Sequence, residues 1–209
     1  MYRDGEIRKY LDDAASGTPA PGGGSVSAFA GALACTMGSM AANFTVGKKK
    51  FREVEPKVRE ILTRLDELRG KLLELADEDV EAYSVVSGAY LMPKNTPEEK
   101  AARTAKIQEA LVVAMDVPLK TVRACASVIR DLRLLVDIAN PNLISDVGVS
   151  AILAEAALGG AKLNVEINLA YLKDEELVRK TAGEVDGLQQ EAEGIVREVM
   201  GKVKAKIAS

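Results

Sequence analysis

Histidine is missing altogether from this chain of 209 residues. That excludes serine–histidine triads and histidine-based metal sites, and any acid or base must be a carboxylate, lysine, tyrosine or cysteine tuned by its surroundings. Tryptophan is missing too, and aromatic residues make up only 4% of the chain, which argues against a base-stacking nucleic-acid surface. Neither sign of charge dominates: 28 basic residues stand against 31 acidic ones, a net charge of −3. No general basic excess therefore points to nucleic acid. The two cysteines, Cys35 and Cys125, lie inside apolar helical patterns. They read as small buried thiols rather than a disulfide, and two cysteines alone do not make a zinc site. The N-terminus MYRDGEIRKY is charged and carries no signal-peptide pattern, so the expected compartment is the cytoplasm.

Long apolar runs are scarce. Val26 to Val46 holds no charged residue and has the length of a membrane span. It is rich in Ala, Gly and Ser and poor in Leu and Ile, so its transfer energy is weak and a buried helix of a soluble protein is expected. Strand patterns are absent as well: Val, Ile and Thr never alternate over a strand length between turns. No linker, repeat or low-complexity run divides residues 1–209, so the expectation is one all-α domain, an up-and-down bundle of about six helices with one long helix kinked or split.

The periodicity places helices at about Gly5–Ser16, Ser25–Val46, Pro56–Tyr90, Thr96–Ala139, Ser145–Leu172 and Asp174–Ile207. In the second, Ser27, Gly31, Cys35 and Ser39 form one row of small residues and Ala30, Ala34, Gly38 and Ala42 another. Such ridges let neighbours approach closely, so this is expected to be the central helix, with the small-residue fifth helix as its mate. The third has an apolar seam of Val58, Leu62, Leu65, Leu72, Ala76, Tyr83 and Val86. The fourth opens on a capping box, Thr96-Pro97-Glu98-Glu99, and Pro118 is expected to kink or split it.

Chemistry concentrates in a few places. From Thr18 to Phe51, a Pro/Gly loop opens the second helix and three lysines follow its end. Gly22, Gly23 and Gly24 free the backbone, Ser25 is a candidate N-cap, and bare amides at a helix start suit an anion or an electron-rich ring. With Lys48, Lys49 and Lys50, that suggests a small acidic ligand; a turn, a packed helix and a solvated basic loop describe the same residues. Asp79 is the sharpest single candidate, because it sits on the seam of the third helix, whereas Asp77, Glu78 and Glu81 sit off it and read as solvated. A carboxyl on an apolar stripe is costly unless paired, neutral or functional, and burial raises its pKa toward proton transfer near neutrality. Asn142, Ser145 and Asp146, beside Asn140, read as a turn and N-cap or as a second polar rim for a ligand. Asn43, Asn164 and Asn168 lie within small-residue helices and bond either a neighbouring helix or the amide edge of a heterocycle.

Taken in order, the blocks TPAPGGGSVSA (Thr18–Ala28), AANFTVGKKKF (Ala41–Phe51), DEDVEAY (Asp77–Tyr83), LMPKNTPEEKAAR (Leu91–Arg103), VPL (Val117–Leu119) and NPNLISDVGVSAILAEAALGGAKLNVEINL (Asn140–Leu169) carry a resemblance. The chain resembles the cyclodeaminase domain of formiminotransferase-cyclodeaminases and the related stand-alone methenyltetrahydrofolate cyclohydrolases. The resemblance implies an all-helical homodimer with folate sites near the subunit contact, acting on the one-carbon bridge between N5 and N10 of tetrahydrofolate. It puts the family's catalytic aspartate, in its D-x-x-A-[YF] block, on Asp79. It implies a tetrahydrofolate derivative as substrate, with no metal, redox cofactor, nucleic acid or membrane. Lys48 to Lys50 become contacts for folate's glutamate tail, which is often several glutamates long, and Gly22 to Ser25 with Asn142 to Asp146 become the frame of the pterin. A chain of this length leaves no room for a formiminotransferase domain. That puts the cyclohydrolase reaction, 5,10-methenyltetrahydrofolate plus water to 10-formyltetrahydrofolate, ahead of cyclodeamination of 5-formiminotetrahydrofolate. A non-catalytic folate-binding or helical interaction module is the reading from another class.

Overall fold

The computed structural model describes residues 1–208, and among them every regular element is helical. Six α-helices follow in order: α1 (Ile7–Ala15), α2 (Gly23–Asn43), α3 (Glu55–Leu91), α4 (Pro97–Ile138), α5 (Ile144–Leu169) and α6 (Glu175–Ile207). Short 3-10 turns at Lys49–Phe51 and Pro141–Leu143 lead into α3 and α5. The five long helices are joined by short connections, so neighbours in sequence run antiparallel, as the up-and-down expectation has it.

α2 is the centre of the bundle and packs most extensively on α5 and α3, and also on α4. Both rows of small residues explain this. Ser27, Gly31, Cys35 and Ser39 are all buried, as are Ala34, Gly38 and Ala42. A Cβ on Gly31 would stand 2.9 Å from Cys125 Sγ, and one on Gly38 would stand 3.0 Å from a Leu65 methyl. Larger residues would push the helices apart. α2 and the Pro141–Leu169 segment are long and apolar enough to cross a membrane by composition alone. The central position of α2 accounts for its composition, since a helix touched on several sides has no polar face. The core around it takes Ile61, Leu65, Leu72 and Leu75 from α3, Ile129, Leu132 and Leu135 from α4, Leu158 from α5 and Val199 from α6.

Local signals set the helix ends. Thr96 accepts the Glu99 amide at 3.2 Å and Glu99 reaches back to the Thr96 amide, so the capping box is complete. Asp174 caps α6 through the Leu177 amide at 3.0 Å. Two expectations are corrected at helix starts. Gly22, not Ser25, is the N-cap of α2, and Ser25 is buried in its first turn. At α5 the helix opens at Ile144 after the 3-10 turn, while Asn140 caps that turn by accepting the Asn142 amide at 3.1 Å.

Pro118 does not split α4, which is continuous from Pro97 to Ile138. A proline inside a helix leaves the carbonyl four residues back without its donor. Here that carbonyl belongs to Ala114, and the Asn168 amide of α5 donates to it at 3.2 Å. The missing bond is thus replaced from a neighbouring helix, and the helix continues through the break.

Candidate functional site

One end of the bundle holds a cleft of about 360 Å³, in the size range of small-molecule sites. Its walls come from the loop before α2 (Pro19, Ala20, Gly22) and Gly23, from α3 (Asp79, Ala82, Tyr83, Val86, Tyr90), from α4 (Leu111, Ala114), and from α5 and its exit (Asn164, Ile167, Asn168, Tyr171). Most of this surface is apolar or aromatic. Asp79 is the carboxyl in it.

Asp79 lies across the start of α2. Its Oδ2 accepts the Ser25 backbone N–H at 2.9 Å. The anion expected at this glycine-rich helix start is therefore supplied by the protein itself, as the Asp79 side chain. Gly24 makes room for it: a Cβ there would meet Asp79 Oδ1 well inside contact distance. Burial pushes the Asp79 carboxyl above its ordinary pKa, and the Ser25 amide pulls weakly the other way. The Ser25 hydroxyl pairs with the buried Tyr10 phenol at 3.1 Å, which seats α1 against the back of this turn. Burial raises that phenol as well.

The neighbouring carboxyl, Asp77, departs from expectation. It is 6% exposed rather than solvated. It accepts the Tyr2 backbone N–H at 2.6 Å and has Arg3 at 3.9 Å, so it anchors the N-terminal segment. Two residues of helix rotate the two side chains to different faces, which leaves Asp79 to the cleft.

The structure divides the other candidate site residues between the two ends of the bundle. Gly22, Gly23, Gly24 and Ser25 surround Asp79. Asn43 is exposed at the last position of α2, and Lys48, Lys49 and Lys50 are exposed just beyond. The 21 residues of α2 put about 30 Å between that end and Asp79. Asn142, Ser145 and Asp146 share the lysine end, because Asn140 beside them bonds Thr45 at 2.8 Å and the Phe44 carbonyl at 3.2 Å. Within one copy of the chain they do not frame the cleft that holds Asp79. Tyr83, assigned to a core seam, is exposed in the cleft instead. Tyr90 and Tyr171 were not singled out by pattern, since helical spacing does not separate a cleft wall from a solvated face.

The family model for formiminotransferase-cyclodeaminase matches residues 6–187. This chain belongs to that family. It is 43% identical over 201 residues to a methenyltetrahydrofolate cyclohydrolase of Methylorubrum extorquens, covering 96% of this chain and 97% of that one. It is 33% identical to the formimidoyltransferase-cyclodeaminase of Rattus norvegicus, covering 97% of this chain but 38% of the rat protein. The chain therefore spans about two-fifths of that relative's length. The crystal structure of a formiminotetrahydrofolate cyclodeaminase from Thermotoga maritima superimposes with a TM-score of 0.87 at 33% identity, covering 97% of each chain.

Proposed function

We propose that this protein is a methenyltetrahydrofolate cyclohydrolase, opening 5,10-methenyltetrahydrofolate with water to give 10-formyltetrahydrofolate. The observation that carries the reading is Asp79: a carboxyl with a raised pKa in an aromatic-walled cleft, in a chain 43% identical over nearly its full length to a cyclohydrolase. Asp79 takes a proton from water as the oxygen bonds the bridging carbon. The tetrahedral carbon then breaks its bond to N5, the hydroxyl oxygen becomes the formyl carbonyl, and Asp79 returns a proton to N5. One proton is released overall, because the methenyl substrate is a cation and the product bridge is neutral. A single tuned carboxyl serves both transfers, with the tetrahydrofolate derivative as substrate and no resident metal or cofactor.

Cyclodeamination of 5-formiminotetrahydrofolate is the second reading, favoured by the likeness to the Thermotoga enzyme. It uses the same carboxyl, with the proton delivered to departing ammonia.

The assembly in this reading is a homodimer. In support, α2 carries no charged residue and leaves Val26, Leu33, Met40 and Phe44 in solvent on one stripe, while α5 leaves Val149, Ile152 and Leu163. Copies paired antiparallel along α2 bring the Lys48–Lys50 end of each toward the cleft of the other, which restores the lysines as contacts for a glutamate tail. The buried, unpaired Cys35 and Cys125 fit a reducing cytoplasm.

The test is the decay of 5,10-methenyltetrahydrofolate absorbance with purified protein at mildly acidic pH, beside Asp79→Asn. Rapid decay that the variant lacks supports the cyclohydrolase. No decay, with ammonia released from 5-formiminotetrahydrofolate, supports the cyclodeaminase. Folate binding without either turnover returns the binding-module reading.

A further inference from the structure

Asn168 has no donor to offer a ligand. Its amide nitrogen donates to two carbonyls, Asn164 O at 2.8 Å one turn earlier and Ala114 O at 3.2 Å on α4. An amide has two N–H bonds, so both are committed, and the atom left to the cleft is the acceptor Oδ1. The Ala114 carbonyl lacks its helical donor because Pro118, four residues on, has no N–H, which leaves it free for the Asn168 amide. Asn164 is held similarly, its amide donating to Gly160 O at 2.9 Å. A Cβ on Gly23 would stand 3.1 Å from that amide, so Asn164 abuts the start of α2 next to the Gly24–Asp79 contact. Asn168 lies one turn farther along α5, about 6 Å from Asn164, on the side of Tyr171.

We infer that Asn168 recognises the 2-amino group of the pterin ring by accepting its N–H, with Pro118 as the positioning residue that fixes which way the amide faces. The inference rests on the folate reading above. If the N5–N10 bridge reacts at Asp79, the donor-bearing edge of the ring lies about one ring-length away, and Asn168, one helical turn beyond the Asn164–Gly23 contact and with only its oxygen uncommitted, offers that edge an acceptor. The proline is then part of the binding machinery: it removes a helix donor so that a side chain on another helix is oriented by the vacated carbonyl. A site that can only accept discriminates against a ring lacking the amino group, because its oxygen is left unpaired.

The experiment measures binding of 5-formyltetrahydrofolate, and of its counterpart with methyl in place of the 2-amino group, by calorimetry on the full chain. Wild type is expected to prefer the amino ligand by about tenfold. Asn168→Ala loses that preference by weakening the amino ligand alone. Pro118→Ala restores an N–H that competes for Ala114 O and frees the amide, so it also loses the preference, while melting no lower than wild type because proline is the poorer helix residue. Equal weakening of both ligands in Asn168→Ala, or no preference in wild type, overturns the inference and leaves the cyclohydrolase reading standing. Failure of wild type to bind either ligand overturns both.

Discussion

A Cβ on Gly24 would stand 2.6 Å from Asp79 Cγ and closer still to its Oδ1. The glycine is thus the space into which the Asp79 carboxyl is folded, and the carboxyl's oxygen reaches the Ser25 amide through it. With Asp79 in the role proposed above, Gly24→Ala is expected to displace the carboxyl and lower kcat by about a hundredfold, the scale of loss when a reacting group is misplaced by about 1 Å. Steady-state kinetics checks it, and Gly70→Ala on α3, outside the cleft lining, is the control, since nothing lies within 4 Å of its added methyl.

Burial holds the Asp79 carboxyl above the ordinary aspartate value. A base works ionised, so turnover is expected to rise with pH through a midpoint above that value. Stability runs the other way. The folded state binds this proton more tightly than the unfolded chain, so the group's contribution is full below the unfolded pKa and is lost as pH rises through the folded one. Asp79→Asn is expected to melt no lower than wild type at neutral pH and to lose turnover by about a hundredfold or more. Melting scans and rates across mildly acidic to neutral pH read both.

Asp131 is 6% exposed and is held by Arg64 through Nε at 3.0 Å, an α3–α4 tie remote from the cleft. Removing the arginine leaves a buried charge with its partner gone. Arg64→Ala is expected to cost about 2–3 kcal/mol in denaturant unfolding. Arg130→Ala, which breaks a solvent-exposed pair with Glu191, is expected to cost under about 1 kcal/mol.

Leu33 stands at the middle of the exposed α2 stripe. If two copies pair along that stripe, Leu33→Glu places like charges against each other in an apolar contact. Light scattering is expected to show a dimer for wild type and a monomer for the variant, with the helical circular dichroism unchanged. A wild-type monomer would remove the dimer, and with it the route by which Lys48–Lys50 reach a cleft.

The order of the helices and the central place of α2 were legible in the sequence because they depend on periodicity and residue size. A charge-free helix with two rows of small residues can be buried on several sides and has little else to do. Asp79 was legible for the same reason: a carboxyl on an apolar seam stands out from its neighbours. Seam periodicity did not separate Asp77 from Glu78 and Glu81, because its burial comes from the N-terminal segment folding back on α3, a contact between residues 75 apart. Nor could it tell which helix end each polar group would occupy. Lys48 follows Gly22 closely in the chain, yet a rigid helix separates them by its full length. The role of Pro118 was equally hidden. Helix rules read it as a break, and only the packing of α5 on α4 supplied Asn168 to take the vacated bond. Local chemistry determines which elements form and which faces they bury; where two helices meet, and so which amide, carboxyl and glycine share a cleft, is decided by the close packing of the whole bundle.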